Sequence, residues 1–388
     1  MMPTASPKRL RIAVLNRIFR PTGGGAERYS IALVEQLADR HDIHVFAQQI
    51  EHQWPGVTYH RIPLPFERPR WINQLWFAVA TWWQTRRGFE VVHSHENTWH
   101  GQVQTVHVVP VKQSLLQGLA GWSLVWRGLK IATSPRLLAY LGLEHFRYKP
   151  HPNRCIVLAS ESLRSAIAGS YPASVPMVRV VTPGVARVPG VTSLAQKNAA
   201  RLALGLPIDG RCILFVGNDY RKKGLDALLQ ALTELPLDCY LAVVGNASQI
   251  PVFQAIVDAG SNRGRVFFLG ALNAVDAAYR AADCLAHPTL EDTFAMVVLE
   301  AMSHGVPVVV SSGSYCGISE LLTGGLNALI LQNPRDATEL ACAIQRLFVD
   351  TKLAAKLMDY GKQFSHRHLW SEQARLQEEI YTEIASLR

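Results

Sequence analysis

Two carboxylates, Asp292 and Glu300, stand eight positions apart where a strand is followed by a helix. The apolar pattern predicts this strand over Cys284–His287 and the helix over Phe294–His304. At 3.6 residues per turn, Glu300 lies about two turns deeper than Asp292. A carboxylate at that position could accept two hydrogen bonds from the hydroxyl groups of a ribose. The plainer alternative is an N-cap followed by an ordinary helical glutamate.

The first turn of the same helix could itself hold a ligand. Asp292 or Thr293 can cap it, which predicts that the amides of Phe294, Ala295 and Met296 are free to donate hydrogen bonds. Free amides and the positive end of a helix favour anionic or hydroxyl-rich ligands.

A basic loop supplies the opposite charge. Arg221, Lys222 and Lys223 stand between a strand predicted over Cys212–Gly217 and a helix predicted over Leu225–Leu235. Cations beside a helix N-terminus suit a diphosphate, because neutralising a departing phosphate lowers the barrier to its displacement. A solvated basic turn is the alternative.

A glycine-rich loop follows the first strand, in the sequence Thr22–Arg28. Glycines such as Gly24 and Gly25 let backbone amides approach a ligand closely, and a helix begins near Glu27. Arg28 stands where a dinucleotide fingerprint needs its third glycine, and the sequence has no P-loop motif. A tight structural turn would look the same.

Three histidines, His93, His95 and His107, lie on or just after two predicted strands. They could bind a metal, but no carboxylates accompany them at ligand spacing, so strand-end histidines are the preferred interpretation. The six cysteines are widely separated and form no zinc-binding pattern. We therefore expect no metal and no cofactor.

The elements that carry these residues alternate between strand and helix in both halves of the chain, which predicts an α/β fold with parallel sheets. A polar stretch after Thr182 separates the halves. We predict two Rossmann-like, doubly wound domains over 1–186 and 187–366, with a final helix over 367–388 returning to the first domain. Ligands of such sheets bind beyond the carboxyl ends of the strands, so we expect a site in a cleft between the two domains.

Charge and aromatic residues concentrate in the first half. Residues 1–190 carry 22 basic and 10 acidic residues, a net +12, whereas residues 191–388 carry 17 and 20, a net −3. No apolar run approaches the length of a membrane span, and the N-terminal apolar stretch is too short for a signal peptide, so we expect a cytoplasmic location. Tryptophans interleaved with Arg and Lys suit an anionic membrane surface, and the alternative is that these rings fill the core of the first domain. Eight of nine precede residue 127: Trp54, Trp71, Trp76, Trp82, Trp83, Trp99, Trp122 and Trp126.

The segment around the two carboxylates resembles the Glu-x7-Glu signature of retaining GT-B glycosyltransferases, in the large family 4-like group of bacterial lipopolysaccharide and glycolipid enzymes. In that family the first acid and the amides after it hold the donor sugar, and the second acid binds the ribose. The resemblance assigns the ribose to Glu300 and the sugar to either Asp292 or Glu291. It assigns Thr293, Phe294, Ala295 and Met296 to the donor.

The remaining motifs resemble other parts of the same family. The family's leaving-group loop grips the diphosphate with a Lys that corresponds to Lys223 and an Arg that corresponds to Lys222 or Arg221. Its glycine loop corresponds to Gly24 and Gly25, and its sugar-contacting histidine to His107. The resemblance assigns Asn218 and Gly270 to strand ends that would face the nucleotide.

The resemblance implies metal-independent transfer of a hexose, with UDP preferred, to a saccharide or lipid-linked acceptor in cell-envelope polysaccharide or lipopolysaccharide synthesis. It implies no cofactor, since the nucleotide sugar is a substrate, and no nucleic-acid partner. The first domain would lie on the inner face of the cytoplasmic membrane. The alternatives are a non-catalytic basic protein that binds lipid or nucleic acid, and another GT-B enzyme such as a sugar-nucleotide epimerase.

Overall fold

A computed structural model describes residues 9–21, 24–66, 68–187, 190, 192–272 and 274–387. The chain forms two compact units. Unit 1 contains Met1–Thr182 and Trp370–Arg388, and unit 2 contains Pro183–Leu369. The divisions fall within a few residues of the boundaries suggested by the sequence at 186 and 366.

Unit 1 is built on a parallel sheet. Its strands are β1 (Arg11–Leu15), β2 (Ile18–Phe19), β3 (Asp42–Ala47), β4 (Gln49–Ile50), β5 (Val57–Arg61), β6 (Val91–Ser94), β7 (Val103–Val106), β8 (Cys155–Leu158) and β9 (Val178–Val180). Seven of them pair in the order β5-β3-β1-β6-β7-β8-β9, and β2 pairs with β4. The helices are α1 (Gly25–Leu37), α2 (Arg70–Thr85), α3 (Val111–Leu116), α4 (Trp122–Ala132), α5 (Pro135–Arg147) and α6 (Leu163–Ser170).

Unit 2 is a second parallel α/β unit. It contains α7 (Leu194–Ala203), β10 (Arg211–Gly217), α8 (Leu225–Glu234), β11 (Cys239–Gly245), α9 (Ile250–Ala259), β12 (Val266–Gly270), α10 (Asp276–Ala281), β13 (Cys284–His287), α11 (Met296–Ser303), β14 (Val308–Ser311), β15 (Leu329–Leu331), α12 (Ala337–Val349) and α13 (Thr351–His366). The sheet order is β12-β11-β10-β13-β14-β15. The predicted pair of parallel α/β domains is confirmed.

The final helix, α14 (Trp370–Ser386), belongs to unit 1. Its apolar residues Ile380, Tyr381 and Ile384 are buried in the same core as Val14 of β1 and Leu33 of α1. The helix therefore completes the hydrophobic core of unit 1.

Among the described helices, none has both the length and the apolar character that a membrane span requires.

Candidate functional site

The acidic and basic loops of unit 2 lie side by side because they follow neighbouring strands. Strands β10 and β13 pair in parallel, so their carboxyl ends meet at one edge of the sheet. The two loops are joined there by a backbone hydrogen bond of 2.8 Å from Leu290 N to Lys222 O. A β-carbon on Gly224 would lie 1.9 Å from Pro288 O, so only glycine permits this close approach.

Lys223 and Asp292 form the central ion pair of the site. Lys223 Nζ lies 2.7 Å from Asp292 Oδ2 and 3.0 Å from the carbonyl oxygen of Glu291. Both side chains of the pair are largely buried, at 19% and 18% exposed. The structure thus brings together the two residues that the sequence predicted on separate loops.

A second ion pair is more exposed to solvent than the first. Lys222 Nζ is 3.0 Å from Glu291 Oε1, and these side chains are 43% and 67% exposed. Because water screens an exposed pair, its charges are available to a ligand at little cost.

The turn after Asp292 differs from the prediction. Asp292 Oδ1 accepts hydrogen bonds from the amides of Phe294 at 3.2 Å and Ala295 at 2.8 Å, so these amides are not free. Ala295 has a positive φ of 66° and directly precedes the helix, which begins at Met296 rather than at Phe294. A left-handed residue stops the helix from extending backwards to Thr293.

His287, the last residue of β13, is a site residue that sequence reasoning did not find. Its Nε2 lies 3.2 Å from Asp292 Oδ2, and its buried Nδ1 has no hydrogen-bond partner in the described part of the chain. Burial lowers the pKa of His287 and keeps the ring neutral. Burial alone would raise the pKa of Asp292, but the hydrogen bond from His287 and the charge of Lys223 outweigh it and hold this pKa well below its usual range.

Glu300 lies in the second turn of α11, as predicted from its spacing. Its Oε2 accepts a hydrogen bond of 2.6 Å from the hydroxyl group of Tyr279 in α10. The Tyr279 ring stacks on His304, with centroids 5.1 Å apart. Tyr279 carries no local sequence signal, because only the tertiary fold brings α10 against α11.

The remaining predicted donor residues of unit 2 lie at the ends of neighbouring strands. Asn218 follows β10, and its carbonyl oxygen accepts a hydrogen bond of 3.0 Å from Gln249. The guanidinium of Arg221 lies 6.0 Å from the centroid of the Phe253 ring. Gly270 ends β12 with a φ of 67°. Their predicted contacts with a nucleotide stay predictions.

Unit 1 contains the predicted histidines in one buried cluster. His107 Nε2 lies 3.1 Å from His95 Nδ1, and the His107 ring packs edge-on against Tyr29, with centroids 5.1 Å apart. His93 is hydrogen-bonded to Thr105 and Tyr381, at 2.6 Å each. Burial lowers the pKa of His93 and that of His107 to about 3, so both rings are neutral at pH 7.

In this hydrogen-bonded network, both ring nitrogens of His93 and one ring nitrogen each of His95 and His107 contact other side chains. In the described ranges, no three His, Cys, Asp or Glu side chains are grouped as they would be to hold a metal ion.

The structure describes only part of the glycine-rich loop. Thr22 and Gly23 lie outside the described residues, whereas Gly24 directly precedes α1 and Gly25 begins it. The carboxylate of Glu27 lies in the first turn, near Gly24. Its negative charge would oppose a phosphate there, so phosphate binding by this loop stays a prediction.

Two family models cover most of the chain. Residues 23–186 match the model described as Glycosyltransferase Family 4, and residues 196–364 match the model described as Glycosyl transferases group 1. The chain therefore belongs to the group 1, family 4-like glycosyltransferases.

Solved structures show that the fold is GT-B. WaaG, a glycosyltransferase involved in lipopolysaccharide biosynthesis, is 18% identical with a TM-score of 0.81, over 96% of this chain and 99% of that chain. HepE from Anabaena, solved in complex with UDP and glucose, is 18% identical with a TM-score of 0.74, over 96% and 98%.

A curated relative is closer in sequence. The D-inositol 3-phosphate glycosyltransferase of Xylanimonas cellulosilytica is 32% identical over 228 residues, which are 56% of this chain and 54% of the relative. The match thus spans about half the length of that relative.

Proposed function

We propose that this protein transfers a hexose-type sugar from a nucleoside diphosphate to a saccharide or lipid-linked acceptor, with retention of the anomeric configuration. One observation carries the proposal: Lys222 and Lys223 lie against the acidic loop that leads into the helix of Glu300. Cations for a diphosphate and a carboxylate for a ribose thus share one edge of the unit 2 sheet.

The reaction would exchange one bond for another at the sugar. The bond between the anomeric carbon and the diphosphate oxygen breaks, and the acceptor oxygen bonds to the same face of that carbon. The acceptor proton passes to the departing diphosphate. Lys223, with Lys222 or Arg221, would stabilise the negative charge that develops on the diphosphate, and Glu300 would hold the ribose.

The relatives support the donor class. HepE binds UDP and glucose, which favours a UDP-hexose as the first donor to test. The curated relative acts on D-inositol 3-phosphate, so a phosphorylated polyol belongs among the acceptors beside lipid-linked sugars of the cell envelope.

The test is release of the nucleoside diphosphate from UDP-glucose, UDP-galactose and GDP-mannose, with and without acceptors, by wild-type protein and by Lys223→Ala and Glu300→Ala. Each substitution should lower the rate by on the order of 10²-fold, because these contacts strengthen in the transition state. Rates near that of the wild type in both variants would overturn the assignment.

We also propose that transfer needs no metal ion. The sequence has no Asp-x-Asp pair to bridge a divalent cation to the diphosphate, and three adjacent basic side chains can carry that charge instead. Activity should survive dialysis against EDTA. A loss that Mg²⁺ or Mn²⁺ restores would contradict this proposal.

We further propose that α4 places unit 1 on an anionic membrane surface, which would be the cytoplasmic face. No side chain of this helix is buried. Trp122, Val125, Trp126 and Leu129 recur at helical spacing and form one exposed apolar stripe. Lys130 in the last turn adds positive charge, as an interfacial helix requires.

Vesicle co-sedimentation tests the membrane proposal. Wild-type protein should bind phosphatidylglycerol vesicles more strongly than phosphatidylcholine vesicles, and Trp122→Ala with Trp126→Ala should remove most of the binding. Leu194→Ala with Leu202→Ala is the matched control, since both leucines are exposed on α7 of unit 2. Equal binding to the two lipids would refute the proposal.

A further inference from the structure

The carboxylate of Asp292 is fully engaged by the protein itself. An ionised carboxylate has about four lone-pair sites. Oδ1 accepts the amides of Phe294 and Ala295, and Oδ2 accepts Lys223 Nζ and contacts His287 Nε2. A sugar hydroxyl could bind this carboxylate only by displacing one of the four.

The short side chain explains the arrangement. An aspartate at this position accepts hydrogen bonds from the amides two and three residues further along the chain, those of Phe294 and Ala295, and so fixes the turn before α11. A glutamate, one methylene longer, would carry its oxygens beyond these amides. Asp292 therefore closes the turn through internal hydrogen bonds, whereas a longer glutamate would extend further toward a ligand.

Within the described residues, one ammonium hydrogen of Lys223 has no acceptor, whereas the acceptor sites of Asp292 are occupied. Of its three ammonium hydrogens, Asp292 Oδ2 and the carbonyl oxygen of Glu291 accept two within the described residues. The third hydrogen can be donated in a hydrogen bond to a phosphate oxygen. Two fixed acceptors determine where the ammonium group lies, which is what a cation needs in order to meet a diphosphate without reorganisation.

His287, at the end of strand β13, contacts the carboxylate of Asp292 through its Nε2 atom. To donate to Oδ2, its Nε2 must carry the ring proton, which leaves Nδ1 as the buried nitrogen that has no partner among the described residues. The side chain is 1% exposed, so it cannot reach a ligand and can act only through Asp292.

We propose that Asp292 and His287 are positioning residues for Lys223, and that Asp292 does not contact the donor sugar. This inference rests on the proposed function, because the positioned ammonium group serves the diphosphate of the donor.

The decisive ligand is a nucleoside diphosphate, which lacks the sugar that the donor would transfer. Calorimetric titration with UDP, GDP and ADP identifies the nucleoside diphosphate that binds the wild-type protein, and that nucleotide is the probe. Asp292→Asn should weaken its binding by about tenfold, because a charge-assisted hydrogen bond to Lys223 is lost. Adding Asp292→Asn to Lys223→Ala should cause no further loss.

Substitutions of His287 distinguish a positioning role from an effect of net charge. His287→Leu removes the donor without changing the net charge and should weaken binding of the same probe by about threefold. His287→Gln, which keeps an N–H near the Nε2 position, should restore it. Unchanged or tighter diphosphate binding in both Asp292→Asn and His287→Leu, with only sugar-nucleotide binding impaired in Asp292→Asn, would overturn the inference.

A second measurement needs no nucleotide. Competitive acetylation followed by mass spectrometry should show Lys223 reacting about tenfold faster in Asp292→Asn, because the ion pair that shields its amine is gone. Lys197, paired with Asp283 at 2.6 Å, is the internal control and should not change.

This second measurement distinguishes the two claims. If no nucleoside diphosphate binds the wild-type protein, the proposed function fails, whereas the labelling still decides whether Asp292 holds Lys223. An unchanged Lys223 rate would overturn the inference.

Discussion

Gly224 controls how closely the two charged loops approach each other. Its φ of 83° lies in the left-handed region, and its missing side chain leaves room for the carbonyl group of Pro288. Any β-carbon would push the basic loop away from the acidic loop and so separate Lys223 from Asp292. The glycine is therefore part of the site although it contributes no functional group.

Replacing this glycine should be far more damaging than replacing a matched one. Gly224→Ala should cost on the order of 3 kcal/mol or more, from backbone strain and a clash with Pro288. Gly264 has a similar φ of 80° with nothing within 4 Å of an added β-carbon, so Gly264→Ala should cost about 1 kcal/mol. Urea unfolding followed by circular dichroism measures both. Equal losses would mean that the close approach does not matter.

Some site residues could be predicted at this scale and others could not. Asp292, Glu300 and Lys223 were found because charged residues at fixed spacing interrupt apolar patterns. His287 and Tyr279 were missed, since a lone histidine at a strand end and a tyrosine in a short helix look like core residues. Asp292 bonds the amides of Phe294 and Ala295 just before a residue with positive φ, and an alanine does not signal such a backbone conformation.

At the scale of elements, the sequence predicted buried strands well and exposed ones poorly. Strand β13 matches its predicted range, and β10 begins one residue earlier than predicted. Both are largely buried, and a parallel strand covered on both faces is a continuous apolar run. The edge strand β5 was missed. Its residues, Val57–Arg61, are all partly or fully exposed, so hydrogen bonding to β3 rather than burial defines it.

The C-terminal helix α14 should stabilise unit 1 through one buried hydrogen bond as well as through its apolar face. Tyr381→Phe would leave His93 Nδ1 buried without its 2.6 Å partner, at a cost of about 1–3 kcal/mol. Tyr360→Phe, at an exposed position of α13 in unit 2, is the control and should change stability by less than about 0.5 kcal/mol. Chemical denaturation compares them, and equal stability of the two variants would contradict this role of α14.

At the scale of the whole molecule, the two units differ in composition in a way that makes them separately observable. All nine tryptophans lie in unit 1, eight before residue 127 and the last at Trp370. Tryptophan fluorescence therefore reports the unfolding of unit 1. Circular dichroism reports both units.

Unit 1 should lose stability in mild acid. Burial lowers the pKa of His93 and that of His107 to about 3 and that of His100 to about 4. Unfolding restores ordinary values near 6.5, so the unfolded chain takes up more protons below that pH. Stability is fully present above pH 6.5 and falls as the pH drops toward 4, by about 1.4 kcal/mol per pH unit for each histidine.

Denaturation at pH 7 and pH 5.5, followed by tryptophan fluorescence, measures this loss. His107→Gln should reduce the pH dependence of the unfolding free energy by about the contribution of one histidine. The control, His145→Gln, replaces an exposed histidine of the same unit and should leave the dependence unchanged. Equal stability of the wild-type protein at the two pH values would show that the buried histidines do not oppose protonation.

The most direct measurement compares binding of nucleoside diphosphates and monophosphates, as UDP with UMP, GDP with GMP and ADP with AMP, by calorimetry. We expect at least one diphosphate to bind about tenfold tighter than its monophosphate, because the second phosphate gains a charge-assisted hydrogen bond from Lys223. Lys223→Ala should abolish that difference, whereas Lys356→Ala, at an exposed position of α13, should retain it. A diphosphate preference that survives in Lys223→Ala, or that is absent from the wild-type protein, would contradict the assignment of the unit 2 site.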